Sequence, residues 1–195
     1  MGRYDVWPRR GAIVLMVLAV IVSLTGCQAR PRLPEPEVRA SLDELLTLIE
    51  RRLAVAPLVA RAKWNSGAPI DDPARERQIL DRVTAQAQQA SVDAALARAF
   101  FQSQFDAGKL IQRHLHQQWR RESQPPFADA PNLARDVRPV LDELTPRLIA
   151  SLRAVTPLLS DRAARAYLAD RGQLVIRDEI GGGAREEALR VLLTR

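Results

Sequence analysis

Two cations share one amphipathic stretch of this chain, Arg52 and Lys63, and they are followed by Asp72, Arg75 and Glu76 and then by Gln104, Gly108 and Gln112 at four-residue spacing. At about 100° per residue, Arg52 and Lys63 fall roughly 20° apart, on the edge of the stripe formed by Leu42, Leu45, Leu46, Ile49, Leu53, Ala56 and Ala60. The helical rise separates them by about 16 Å, with Pro57 between them removing one backbone hydrogen bond. Cations at a stripe edge can snorkel to water, and an early helical carboxylate such as Glu76 is favoured by the helix dipole. Neither effect explains why Glu76 projects into the apolar face of Ile79, Leu80, Val83, Ala87 and Ala90. Gln104, Gly108 and Gln112 share the face of Phe100, Phe101, Ile111, Leu115 and Trp119, while Lys109, Asp106 and Arg113 fall on the opposite side. An amide buried without a partner costs about 1–3 kcal/mol. Packed side by side, three such segments enclose a dry pocket rich in cations, with one carboxylate and one or two amides. That chemistry suits a small dianion that also carries a hydroxyl and a neutral acceptor oxygen.

The elements that must position these groups are helical. Strand signals are poor, since alternating β-branched runs are missing and aromatic residues make up only 5% of the chain. Apolar periodicity and breakers predict helices over 41–65, 73–90, 93–121, 133–155 and 160–170, and a short last one from Ala184. Asp72 followed by Pro73 is a helix start, a capping carboxylate before a proline at the first helical position. The glycines at 181–183 read as a hinge, because neither a preceding strand nor a following Lys-Ser/Thr makes them a phosphate loop. His114 and His116 do not share a helix face and lack neighbours to complete a metal set, so both are expected at the surface. The fold class is all-α, a single-chain helical bundle of about six helices, and the residues offer no metal set.

Residues 1–26 carry Arg3, Arg9 and Arg10 against Asp5, then an uncharged run from Gly11 to Gly26. This is the basic and apolar pattern of a secretory signal; the alternative, a membrane-spanning helix, usually needs about 18 or more apolar residues and shows no small-residue stop before a Cys. The run stops at "LTGC", which resembles a bacterial lipobox in which Cys27 is lipidated and becomes the new N-terminus. Cys27 is the only cysteine, so it forms no internal disulfide. Gln28 in place of Asp implies, by resemblance to Gram-negative lipoproteins, a periplasm-facing protein in the outer membrane. Residues 27–40 then read as lipidated cysteine and Pro-rich tether. Of the formal +6, the signal accounts for +2, and the balance near +4 is poor support for a nucleic-acid partner.

The residues that carry chemistry lie in "ERRLAVAPLVARAKW", "PIDDPARE" and "FFQSQFDAGKLIQ". In these, the chain resembles the all-helical AroQ class of chorismate mutase, in its secreted γ subclass. The likeness spans about 41–121 and, more loosely, 131–155. It implies the type II fold, with catalytic helices over 41–122 and a C-terminal half, 123–195, that completes the site within one chain. It implies chorismate as substrate, prephenate as product, no cofactor, and a homodimer. By the same resemblance Lys63 and Gln112 would donate to the ether oxygen of the substrate, and Arg52 and Arg75 would clamp its carboxylates. Glu76, with the backbone of Asp72, would hold the ring hydroxyl. In the γ subclass an arginine of the C-terminal half joins the site; "LARDVRPVLDEL" offers Arg138 or Arg135, and Arg138 lies nearer the stripe of Leu133, Val137, Leu141, Leu144 and Leu148. Gly108 stands where the family commonly has Ser or Thr, so one hydroxyl contact to a substrate carboxylate is missing.

Two non-catalytic readings compete. The chain could be a helical lipoprotein that binds a dicarboxylate or a protein partner, with Gly108 marking lost catalysis, or its inward polar groups could be interhelical hydrogen bonds of a scaffold. A scaffold requires Arg52, Lys63, Glu76 and Gln112 to pair with one another and leave no cavity. Catalysis and binding require them to line one.

Overall fold

A computed structural model describes residues 34–178 and 182–194, together with Gly2; the apolar run at 11–26, Cys27 and most of the tether lie outside the described residues. The described chain is all helical: α1 (Pro36–Leu53), α2 (Ala56–Ser66), α3 (Pro73–Gln89), α4 (Ala94–Arg121), α5 (Arg138–Val155), α6 (Arg162–Val175) and α7 (Ala184–Leu193). Among these residues no helix is long and apolar enough to cross a membrane.

α1 packs on α5 and α6, and α4 packs on α2, α3 and α7. The stripe expected on α1 is the centre of the core, with Leu42, Leu45, Leu46 and Ile49 fully buried. Across from it Phe100 and Phe101 meet edge to face, with ring centroids 5.4 Å apart. Such a contact adds roughly 0.5–1.5 kcal/mol to the area that the rings bury.

Four differences from the sequence reading have physical causes. The segment 41–65 is two helices, because the Val55 amide donates to the Arg52 carbonyl at 3.3 Å, a tighter turn than the α-helical one. Pro57, which has no amide hydrogen, then falls in the first turn of α2, where an amide would lack a helical partner anyway. α1 begins at Pro36, so the end of the segment read as a tether is helical. The expected helix at 133–155 opens with a π-helical turn, Leu133–Val137, before α5. Pro139 cannot donate to the Arg135 carbonyl, and the Asn132 side chain instead accepts from the Ala134 and Arg135 amides at 2.9 and 3.0 Å. Finally, His116 is buried, not exposed: its Nε2 lies 2.8 Å from the Ala60 carbonyl oxygen, and its ring packs on Trp64 and Trp119.

That aromatic cluster sets the position of α2 and hence of Lys63. Trp64 meets Trp119 edge to face at 5.6 Å, and Trp119 meets Phe127 at 4.8 Å. The Asn65 amide closes a two-bond clasp on the Phe127 backbone, donating at 2.7 Å and accepting at 2.8 Å. Arg61 pairs with Asp129 beside it.

Candidate active site

Five helical segments converge on one cavity of about 440 Å³. Arg52 comes from the end of α1, Lys63 from α2, and Asp72, Arg75 and Glu76 from the start of α3. Gly108 and Gln112 come from the middle of α4, and Arg138 from the first residue of α5. Val55, Ile79, Phe105 and Leu141 supply apolar wall. Arg135 does not line the cavity; it is exposed and bonded to the neighbouring Asp136 at 2.8 Å.

The ionisable lining is unbalanced. Arg52, Lys63, Arg75, Arg82, Lys109 and Arg138 face Asp72, Glu76 and Asp142, a formal excess of three positive charges. A cleft of one sign with low-dielectric walls concentrates the opposite sign, here small anions. Among the described residues, no group of three or more His, Cys, Asp or Glu side chains is arranged to hold a metal ion.

Each group is held differently. Arg52 runs between the rings of Phe105 and Phe101, its guanidinium carbon 5.2 and 5.8 Å from their centroids. Its Nε is buried without a hydrogen-bond partner, and burial pulls its pKa down to about 10, so it is still a cation at neutral pH. Lys63 donates to the Ile70 carbonyl at 2.8 Å. Burial lowers its pKa from the ordinary lysine value; Asp72, Glu76 and Asp71 oppose that shift and Lys109 adds to it by repulsion. The Asp72 carboxylate accepts from the Arg75 amide at 3.0 Å as the cap of α3, which fixes the direction in which Arg75 and Glu76 leave the helix.

The amides are almost fully enclosed. Gln104 donates to the Ala188 carbonyl at 2.8 Å, tying α4 to α7. The Oε1 atoms of Gln104 and Gln112 are buried with no partner among the described residues. An orphaned acceptor of this kind is uncommon in a finished interior and marks a place where a bound molecule or water completes the site. Gly108 leaves a gap at the same level, since a Cβ placed there would meet nothing nearer than the Ala56 Cβ at 3.9 Å.

Lys109 corrects the sequence reading, which set it on the far side of α4. It lines the cavity, 2.8 Å from Asp106 and 3.0 Å from Glu76, with its side chain only 13% exposed. Burial disfavours its charge, but hydrogen bonds to Asp106 and Glu76 prevail and raise its pKa above the ordinary value. Lys109 is only about 60° around the helix from Gln112, and α3 closes over that flank. One signal was available in composition, for Lys63 and Lys109 are the two lysines among 29 basic residues. Arg82, Gln86, Asp142 and Thr145, also on the lining, carried none.

The family model described as chorismate mutase type II matches residues 40–113, from α1 to the middle of α4. The crystal structure of chorismate mutase from Burkholderia thailandensis is 38% identical, with a TM-score of 0.71 over 78% of this chain and 99% of that one. The secreted chorismate mutase of Mycolicibacterium smegmatis is 29% identical over 124 residues, 64% of this chain and 68% of that protein. A chorismate mutase of Methanocaldococcus jannaschii is 35% identical over 81 residues, 40% of this chain and 82% of its own length.

Proposed function

Because the chain belongs to the chorismate mutase type II family, we propose that it rearranges chorismate to prephenate in the cavity described above. The observation that carries this reading is the convergence of Arg52, Lys63, Glu76 and Gln112 on one cation-rich cavity that they do not fill by pairing with one another. The reaction is an isomerisation. The ether C–O bond breaks as a new C–C bond forms, electrons move within the substrate, and neither a nucleophile nor an external proton carrier is required.

What the protein supplies is conformation and charge. Arg52, Arg75 and Arg138 take the two carboxylates, and holding them at fixed positions selects the folded conformer in which the reacting carbons approach. Lys63 and Gln112 donate to the ether oxygen, on which negative charge develops as the C–O bond stretches. Donors already oriented in a dry cavity stabilise that charge without reorganising, and one such donor is worth about 3–4 kcal/mol. Glu76 accepts from the ring hydroxyl, aided by the backbone at Asp72. Gly108 offers no hydroxyl, which weakens substrate binding more than it weakens the chemical step.

The test is turnover. On adding the purified protein, chorismate absorbance falls and prephenate accumulates in equal amount; no turnover at high enzyme concentration would leave the cavity as a dicarboxylate-binding site only. We further propose an exported protein anchored through lipid on Cys27, supported by the "LTGC" stop and by relatives named as secreted. Cys27→Ser then removes the protein from the outer-membrane fraction. A Cys27→Ser protein that stays in the outer-membrane fraction contradicts the lipid anchor. The homodimer implied by the family resemblance is checked by sedimentation of the soluble form.

A further inference from the structure

Within the cavity a second ammonium is engaged entirely with carboxylates of the chain. Lys109 Nζ lies 2.8 Å from Asp106, 3.0 Å from Glu76 and 3.9 Å from Asp71. Those partners are braced in turn: Gln102 donates to Asp106 at 3.1 Å, and Arg113 pairs with Asp71 at 2.6 Å. The ammonium thus joins α4 to the first turn of α3 and to the loop before it. Glu76 is its least exposed partner, with 20% of its side chain accessible, and shares the cavity lining with Lys109.

A carboxylate in a site for a dianion is a liability, because it repels the molecule that the arginines attract. It is also mobile, since a glutamate rotates about three bonds. The contact between Lys109 and Glu76 Oε2 answers both problems. It offsets the charge of Glu76, and it fixes one oxygen so that the other is presented as an acceptor. We propose that Lys109 is a positioning residue for Glu76, allowing that carboxylate to accept the substrate hydroxyl without repelling the substrate carboxylates. This inference rests on the reading of Glu76 given above. Two of the three Lys109 donors are engaged with Asp106 and Glu76.

A double-mutant cycle on the full chain tests this: wild type, Lys109→Met, Glu76→Gln and the double variant, each measured for kcat, for KM toward chorismate and for thermal midpoint. Lys109→Met raises KM about 10- to 100-fold, the loss of one charge-assisted contact, and lowers kcat far less. In the Glu76→Gln background the same change moves KM by no more than about twofold, because its target is gone. Lys109→Arg restores most of the KM. If Lys109→Met does not fold, Lys109→Gln, which keeps a donor and loses the charge, takes its place in the cycle with the same expected pattern. An equal KM effect in both backgrounds overturns the proposal, since Lys109 would then act on the substrate directly. So does an unchanged KM, or an activity loss that only follows the thermal midpoint. The underlying reading fails separately, by Glu76→Gln alone leaving KM unchanged or by wild type showing no turnover.

Discussion

The Lys63 ammonium donates a 2.8 Å hydrogen bond to the Ile70 carbonyl, across the loop that joins α2 to α3. One of its three donors is therefore committed to the protein, and the remaining donors face the cavity from a fixed point. A lysine on a four-carbon stem is otherwise a flexible charge. Anchoring it before substrate arrives is the preorganisation on which electrostatic catalysis depends.

The charge of Lys63 also sets a pH limit. Burial lowers its pKa, and only the protonated form can donate to a developing oxyanion. Activity is therefore lost as pH rises through the lowered value, and the alkaline limb of kcat/KM falls below the ordinary lysine value of about 10.4. Stability moves the other way. Between the folded and unfolded pKa values the unfolded chain binds more protons, so this group makes the fold more stable as pH rises through that window. A kcat/KM profile that stays flat past the ordinary lysine value contradicts the assignment.

Gly108 is a gap that a side chain can fill. The nearest atom to a new Cβ is 3.9 Å away, and serine is a better helix former than glycine by roughly 0.5 kcal/mol. Gly108→Ser should lower KM for chorismate by about 2- to 10-fold, the worth of one hydrogen bond, and leave the thermal midpoint equal or slightly raised. An increased KM would show that the hydroxyl points away from the substrate.

Two neighbouring arginines differ in their surroundings. Arg138 lines the cavity, whereas Arg135 is 79% exposed and bound to Asp136. Arg138→Ala should cost about 10- to 100-fold in kcat/KM, the range for a hydrogen bond to a charged group, and Arg135→Ala should stay within about twofold, as exposed pairs do. Comparable losses in both variants would contradict the assignment.

The C-terminal helices hold a packing test at two residues outside the cavity lining. A Cβ at Gly172 of α6 would lie 2.7 Å from the Leu189 Cδ1 of α7, and Leu189 is itself only 1% exposed. Gly172→Ala should destabilise the fold by about 1–3 kcal/mol, read as a shifted denaturation midpoint with kcat unchanged in the folded fraction. An unshifted midpoint would mean that α7 yields more easily than its burial implies.

Most of this architecture was legible because helices announce themselves locally. Asp72-Pro73 marked the start of α3, and the stripe of α1 identified the core. Groups on a helix face were equally legible, so Arg52, Glu76 and Gln112 could be singled out from spacing, and Gly108 from the family's pattern. What could not be read depended on partners far along the chain. Lys109 looked solvent-facing until α3 covered its flank, and His116 looked exposed until Trp64 and the Ala60 carbonyl enclosed it. The break between α1 and α2 needed only the known property of Pro57, but its place one turn earlier, at Ala54 and Val55, required the backbone hydrogen bonds.

The most direct measurement compares kcat at saturating chorismate for wild type and Lys63→Ala, with circular dichroism showing both folded. Stabilisation of the ether oxygen by Lys63 predicts a fall of at least about 10²-fold in kcat, with a smaller change in KM. A variant that keeps kcat within about threefold of wild type would contradict the electrostatic account.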